Sequence, residues 1–220
     1  MPTRLSSLFR NLLLAALTLP GLSLAAGNET AYILQDAQRC LLLFAATGDE
    51  HFLRSLPSLA ERYEKQLADQ PGATAMSLWN VWLLHQKSVA DARAHYAPGS
   101  PQLLDAVRQA GKAVDLLPRF LPVVQDETPP TLTENLRQLA LLEAQGANQK
   151  LLGGDEQARR EAIAGLQGRI EEQLTALPAS PENEALRSHW RYLRLSEHES
   201  ATLLYPFNAQ LEYLLARLND

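Results

Sequence analysis

The sequence predicts an all-α protein: two tandem antiparallel four-helix units, eight helices in all, behind a cleaved signal peptide. Three observations carry that prediction. Apolar residues recur at helical spacing along nearly the whole chain, and no stretch alternates as a strand would. Breaks rich in Gly and Pro fall about one helix length apart. Landmark residues of the first half return in the second half at a nearly constant offset.

The N-terminus has the three parts of a secretory signal. Arg4 and Arg10 make a positive start, and the uncharged Leu- and Ala-rich run that follows is broken by Pro20 and Gly21. Ser23-Leu24-Ala25 then places small residues where a signal peptidase reads. Residues 1–26 are therefore assigned to the signal, with about 195 residues remaining. No Cys follows the apolar run, so the lipoprotein pattern is absent. Losing Arg4 and Arg10 from 20 basic side chains, against 25 acidic ones, leaves a net charge of about −7. That charge argues against nucleic acid or an anionic membrane as partner. A single Cys forms no internal disulfide, and no later run is long enough to span a membrane. The expected location is the bacterial periplasm, in soluble form.

The first unit, residues 27–118, holds four helices. The first runs over 29–46 behind an Asn28 cap, on Ile33, Ala37, Leu41 and Phe44, and stops at Thr47-Gly48-Asp49. The second reaches residue 68 on Phe52, Leu56, Leu59, Tyr63 and Leu67, with Pro57 inside it as a kink. The third carries a stripe of Met76, Trp79, Trp82, Leu83, Gln86 and Ala90. Ser100-Pro101 opens the fourth, on Leu104, Val107, Ala110, Val114 and Leu117.

Residues 119–130 read as a linker, with Pro122, Pro129 and Pro130 around Gln125-Asp126-Glu127-Thr128. The second unit, 131–220, opens with Thr131-Leu132-Thr133-Glu134, which fits a capping box. Its fifth helix carries Leu136, Leu139, Ala140, Ala147 and Leu151, and Gly153-Gly154-Asp155 breaks it. The sixth has Ile163, Leu166, Ile170, Leu174 and Leu177. Ser180 caps the seventh, on Leu186, Trp190, Leu193, Ala201 and Leu204. After an interruption at Tyr205-Pro206, Leu211, Leu214, Leu215 and Leu218 mark the eighth.

The halves overlay in order. Gly48-Asp49-Glu50 meets Gly154-Asp155-Glu156 at an offset of 106, Trp82 meets Trp190, and Tyr96 meets Tyr205 at 109. A period this long suits a duplicated four-helix unit rather than a solenoid.

Catalytic signals are missing, so the expectation is a non-enzymatic protein with no cofactor, no metal and no catalytic residue. The sequence has no phosphate loop, nucleophile elbow, haem motif or zinc motif. Its five His residues are scattered, and adjacent positions in Glu197-His198-Glu199 diverge too far on a helix to share one ion. Cys40 among leucines reads as core, and Trp82 and Trp190 read as core anchors.

The first helix offers the most specific lead. Gln35, Gln38, Arg39 and Leu42 form a second face, and residues 40–46 are apolar all round. A helix buried on two sides would need that, so a second subunit is expected against this face, giving a homodimer. Arg39, with Gln35 and Gln38, is the candidate ligand site, its guanidinium suited to a small anion.

Asp36-Ala37-Gln38-Arg39-Cys40-Leu41-Leu42 also resembles the early Ala-Gly-x-Gln-Arg-Met-Leu-Ser segment of the PilJ-type domain. That is the N-terminal periplasmic domain of type IV pili methyl-accepting chemotaxis transducers, related to nitrate and nitrite sensor input domains. Cys40 stands in place of the Met, and Leu136-Arg137-Gln138-Leu139 echoes the segment in the second unit. The resemblance implies a sensory four-helix domain in stand-alone secreted form, with Arg39 as its anion-site position. The expected function is binding a small ligand or relaying to a membrane receptor. The alternative is a structural module that docks a protein partner through a helix face.

Overall fold

The computed structural model describes residues 20–121, 129–197 and 204–219. It is all-α, with no strand among the described residues. Among the described residues, eight long helices and one single-turn helix follow in order. They are α1 (Pro20–Thr47), α2 (Leu56–Leu67), α3 (Gly72–Ala94), α4 (Pro101–Leu116), α5 (Leu132–Ala147), the short α6 (Gln149–Leu152), α7 (Glu156–Ala176), α8 (Pro181–Leu195) and α9 (Leu204–Asn219). Turns of 3-10 helix lie at Glu50–Leu53 and Leu117–Arg119.

Several helix starts rest on side-chain caps. Ser100 accepts from Leu103 N at 3.1 Å, Asp155 from Ala158 N at 3.0 Å and Ser180 from Asn183 N at 3.1 Å. Thr131 and Glu134 complete a reciprocal capping box at α5. Between α1 and the following turn, Gly48 has φ +74°, and the Tyr96 ring lies over it so closely that a Cβ would sit 2.6 Å away. Only glycine meets both demands.

Five element readings are corrected. Phe52 lies in the 3-10 turn ahead of α2, and Leu151 in the single-turn α6 beyond the end of α5. Helix α1 runs unbroken through Asn28, because the Leu- and Ala-rich residues before it sustain a helix that one Gly and one Asn do not end. Pro57 lies in the first turn of α2, where its missing N–H has no carbonyl to reach; it starts that helix rather than kinking it. Tyr205 and Pro206 likewise belong to the first turn of α9, and Leu204 opens α9 instead of closing α8. The readings placed on Arg4, Arg10, Gln125-Asp126-Glu127-Thr128, His198, Glu199 and Ala201 lie outside the described residues.

The two halves have similar helix neighbours, except that α1 also meets α3 in the first. In the first, α1 packs on α2 and α4, and α3 packs on α2 and α4. In the second, α5 packs on α7 and α9, and α8 packs on α7 and α9. Trp82 and Trp190 are both buried on the third helix of their unit. Trp82 stacks on Tyr63 of α2 at 4.8 Å, and Trp190 donates through its indole N–H to Glu171 of α7. The tyrosine pair does not follow suit. Tyr96 packs on Gly48 of its own unit, whereas Tyr205 reaches into the other unit and donates to Asp49 Oδ2 at 3.0 Å.

The units meet through α1 and α5. Tyr32 bonds Glu134 near one end, and Asn148 Nδ2 donates to Leu42 O at 2.7 Å near the other, so the two helices run parallel. Residues 40–45 are all buried, as an all-round apolar segment requires. On the second side this segment packs on the chain's own α5, with Leu204 of α9 against the same core.

The α3 stripe is also corrected. Its buried face is Leu78, Val81, Trp82, His85, Ser88, Val89 and Ala92. Met76 and Leu83 are 65% and 47% exposed. Apolar residues stand on every side of this helix, so periodicity alone does not select the inward one.

Candidate functional site

Arg39, Gln38 and Gln35 do not converge on one cavity. Gln38 turns into the first core, where Oε1 meets Nε2 of the buried His85 at 3.1 Å. Arg39 turns the other way, to α9: Nη1 donates to Asn208 Oδ1 at 2.5 Å, and Nη2 lies 3.5 Å from Glu212 Oε1. Successive helical residues diverge by about 100°, which separates the two. Gln35 is half-buried. The cavity beside Arg39 holds about 10 Å3, room for one water at most. Arg39 is thus a tie between the units. Arg39→Ala should lower unfolding free energy by about 2 kcal/mol in urea melts, since a charge-assisted bond is lost from a buried site.

The larger cavity is an open cleft of about 590 Å3 at the other end of the α1–α5 seam, lined by Glu29, Tyr32, Arg62, Thr131, Thr133, Glu134 and Arg137. Helix α1 supplies Glu29 and Tyr32, α2 supplies Arg62, and the N-terminus of α5 supplies the rest. That N-terminus adds its own partial positive charge to the cleft.

Arg137 lines it and is only 8% exposed. Its guanidinium stands 5.0 Å from the Tyr32 ring centroid. Its nearest carboxylates, Glu29 Oε2 at 3.7 Å and Asp36 Oδ2 at 3.9 Å, lie beyond hydrogen-bond reach. Nε is buried with no acceptor. A guanidinium carries five N–H donors, and a buried one without acceptors loses hydration it does not regain.

The other groups are more fully engaged. Glu134 accepts from the Tyr32 hydroxyl on Oε1 and from Thr131 N on Oε2 at 2.7 Å. Burial alone would raise its pKa, yet those bonds carry it below the usual carboxylate range. Burial, then the Glu134 bond, pushes the Tyr32 phenol well up, so it stays a neutral donor. Burial also pushes Asp36 up, against the pull of Arg39 and Arg137. Arg62 donates through Nη2 to Glu29 Oε1.

Sequence reasoning missed this cleft because its members lie up to a hundred residues apart and share no local motif. One trace was legible: Leu136-Arg137-Gln138-Leu139 as an echo of the Arg39 segment. The first helix of each unit sends a buried arginine toward the other, Arg39 to α9 and Arg137 to α1.

No group of three or more His, Cys, Asp or Glu side chains among the described residues could hold a metal ion. Cys40 is buried, with its thiol 3.2 Å from Ser55 Oγ, and burial raises its pKa, the reverse of an activated nucleophile. Comparison with protein-family models, with curated proteins and with solved structures finds no match in any of the three.

Proposed function

We propose that this chain is a non-enzymatic, exported sensor-type protein that binds a small ligand in the Arg137 cleft. On this reading it presents its bound state to a membrane receptor, in keeping with the resemblance of the Arg39 segment to PilJ-type input domains. One observation carries the reading. A nine-tenths-buried arginine, whose Nε has no hydrogen-bond acceptor and whose paired carboxylates lie 3.7 and 3.9 Å away, lines a cleft whose volume falls in the range of ligand sites. The unengaged groups there are mainly donors, which calls for a ligand that brings acceptors, a carboxylate or other small anion.

A thermal-shift screen of small carboxylates and oxyanions tests it. A binder should raise the melting temperature of wild type. Arg137→Gln should weaken that binder by about 1.5 kcal/mol or more, roughly tenfold, because a charge-assisted bond is lost from a shielded site. An absence of stabilising ligands would remove the reading.

Export is tested separately. The secreted form should begin within about two residues of Ala26 on N-terminal sequencing. An intact Met1 on a membrane-bound species would contradict it.

The second reading, docking of a protein partner, is favoured by the outer side of α3, where Met76, Leu83 and Leu84 are exposed. Leu83→Asp would abolish such docking and leave ligand shifts in the Arg137 cleft unchanged.

A further inference from the structure

The cleft is not uniformly positive, and that narrows its ligand. Arg62 and Arg137 line it together with Glu29 and Glu134, two cations against two anions, and Asp36 lies 3.9 Å from Arg137 Nε. A multiply charged anion would meet repulsion from these carboxylates. Both Glu134 oxygens are occupied, and Glu29 Oε1 takes the bond from Arg62. Glu29 Oε2 is different. It stands 3.7 Å from Arg137 Nη1, too far for a hydrogen bond. The cleft therefore holds a cation and an anion side by side, with Arg137 Nη1 and Glu29 Oε2 paired by charge but not by a hydrogen bond.

Building on the ligand-binding reading, we propose that the cleft recognises the head group of a free α-amino acid. Such a molecule carries ammonium and carboxylate on a single carbon, with the charges about 3 Å apart. Laid against the Arg137–Glu29 pair in the opposite sense, its carboxylate takes the N–H donors of Arg137 and its ammonium takes Glu29 Oε2. Each loose contact becomes two short, charge-assisted bonds, and the net charge of the cleft does not change. Thr133 lines the same cleft, and the α5 N-terminus favours negative charge there. The remaining volume accommodates a side chain.

The test is calorimetric titration of the mature protein with each standard L-amino acid, then with the N-acetyl and C-amide forms of the best binder. Each blocked form should bind at least tenfold more weakly than the parent. Glu29→Gln, at the cleft mouth, should weaken the amino acid at least tenfold and leave the N-acetyl form unchanged; Arg137→Gln should weaken both. Circular dichroism on each variant checks that the fold persists. If the N-acetyl form binds as well as its parent, the cleft is a plain anion site and the inference is overturned. If no amino acid binds, it is overturned as well, and the thermal-shift screen alone decides whether the cleft takes any ligand.

Discussion

Trp82→Ala is expected to destabilise the protein by about 4 kcal/mol, the largest single-site effect in the first unit. Trp82 is 2% exposed and stacks on Tyr63, whose hydroxyl in turn donates to Leu78 O at 2.9 Å. Truncation opens a void at the α2–α3 contact, removes an aromatic pair and leaves the buried Tyr63 bond without its packing. For a chain of 220 residues the melting temperature should fall by roughly 10 °C in differential scanning calorimetry. Trp82 takes no part in lining the Arg137 cleft, so ligand affinity measured below the melting transition should stay the same. A surface-like change under 1 kcal/mol would show that the Trp82 packing is misjudged.

Acid should be nearly as damaging, through His85. The ring is fully buried, its Nδ1 has no partner, and burial holds its pKa down to about 4 from an ordinary 6.5. Between those values the unfolded chain binds a proton that the folded one refuses, so stability rises with pH across that window. From pH 6.5 down to 4 the folded state should lose roughly 3 kcal/mol from this group, and above pH 6.5 its influence should be flat. Glu197 titrates in the same region with the opposite sign, since burial raises its pKa to about 6. The comparison is therefore between wild type and His85→Gln in urea melts at several pH values. The difference between their curves isolates His85. Parallel curves would mean the imidazole is not held neutral.

The helices were legible because their signals are local. A 3.6-residue period marks α2, α4 and α8, and Ser100, Thr131 and Ser180 cap their helices as the sequence indicates. The facing of α3 was not legible, because Met76, Leu83 and Leu84 compete with Leu78, Val81 and Trp82 for the inward side. Burial of residues 40–45 on two sides was readable from their uninterrupted apolar run, but not what covers them. The covering helix α5, and Leu204 of α9, lie far along the chain.

The candidate site was the least legible part. Arg39 drew notice through its local motif, yet its partners Asn208 and Glu212 are on α9, and they make it a tie between units. Arg137 had no comparable neighbours in sequence. Its importance comes from burial, from carboxylates just out of reach and from a cleft assembled by three helices, all of them properties of the folded chain.

The most direct test of the central claim is a crystal structure of the mature protein with the best binder from the titrations. Density for the ligand is expected within about 3 Å of the Arg137 guanidinium, between Glu29, Arg62 and Thr133 and displacing the looser contact to Glu29. Ligand density at Arg39 or on the outer side of α3, with Arg137 still facing Glu29 and Asp36 across an unfilled cleft, would contradict it.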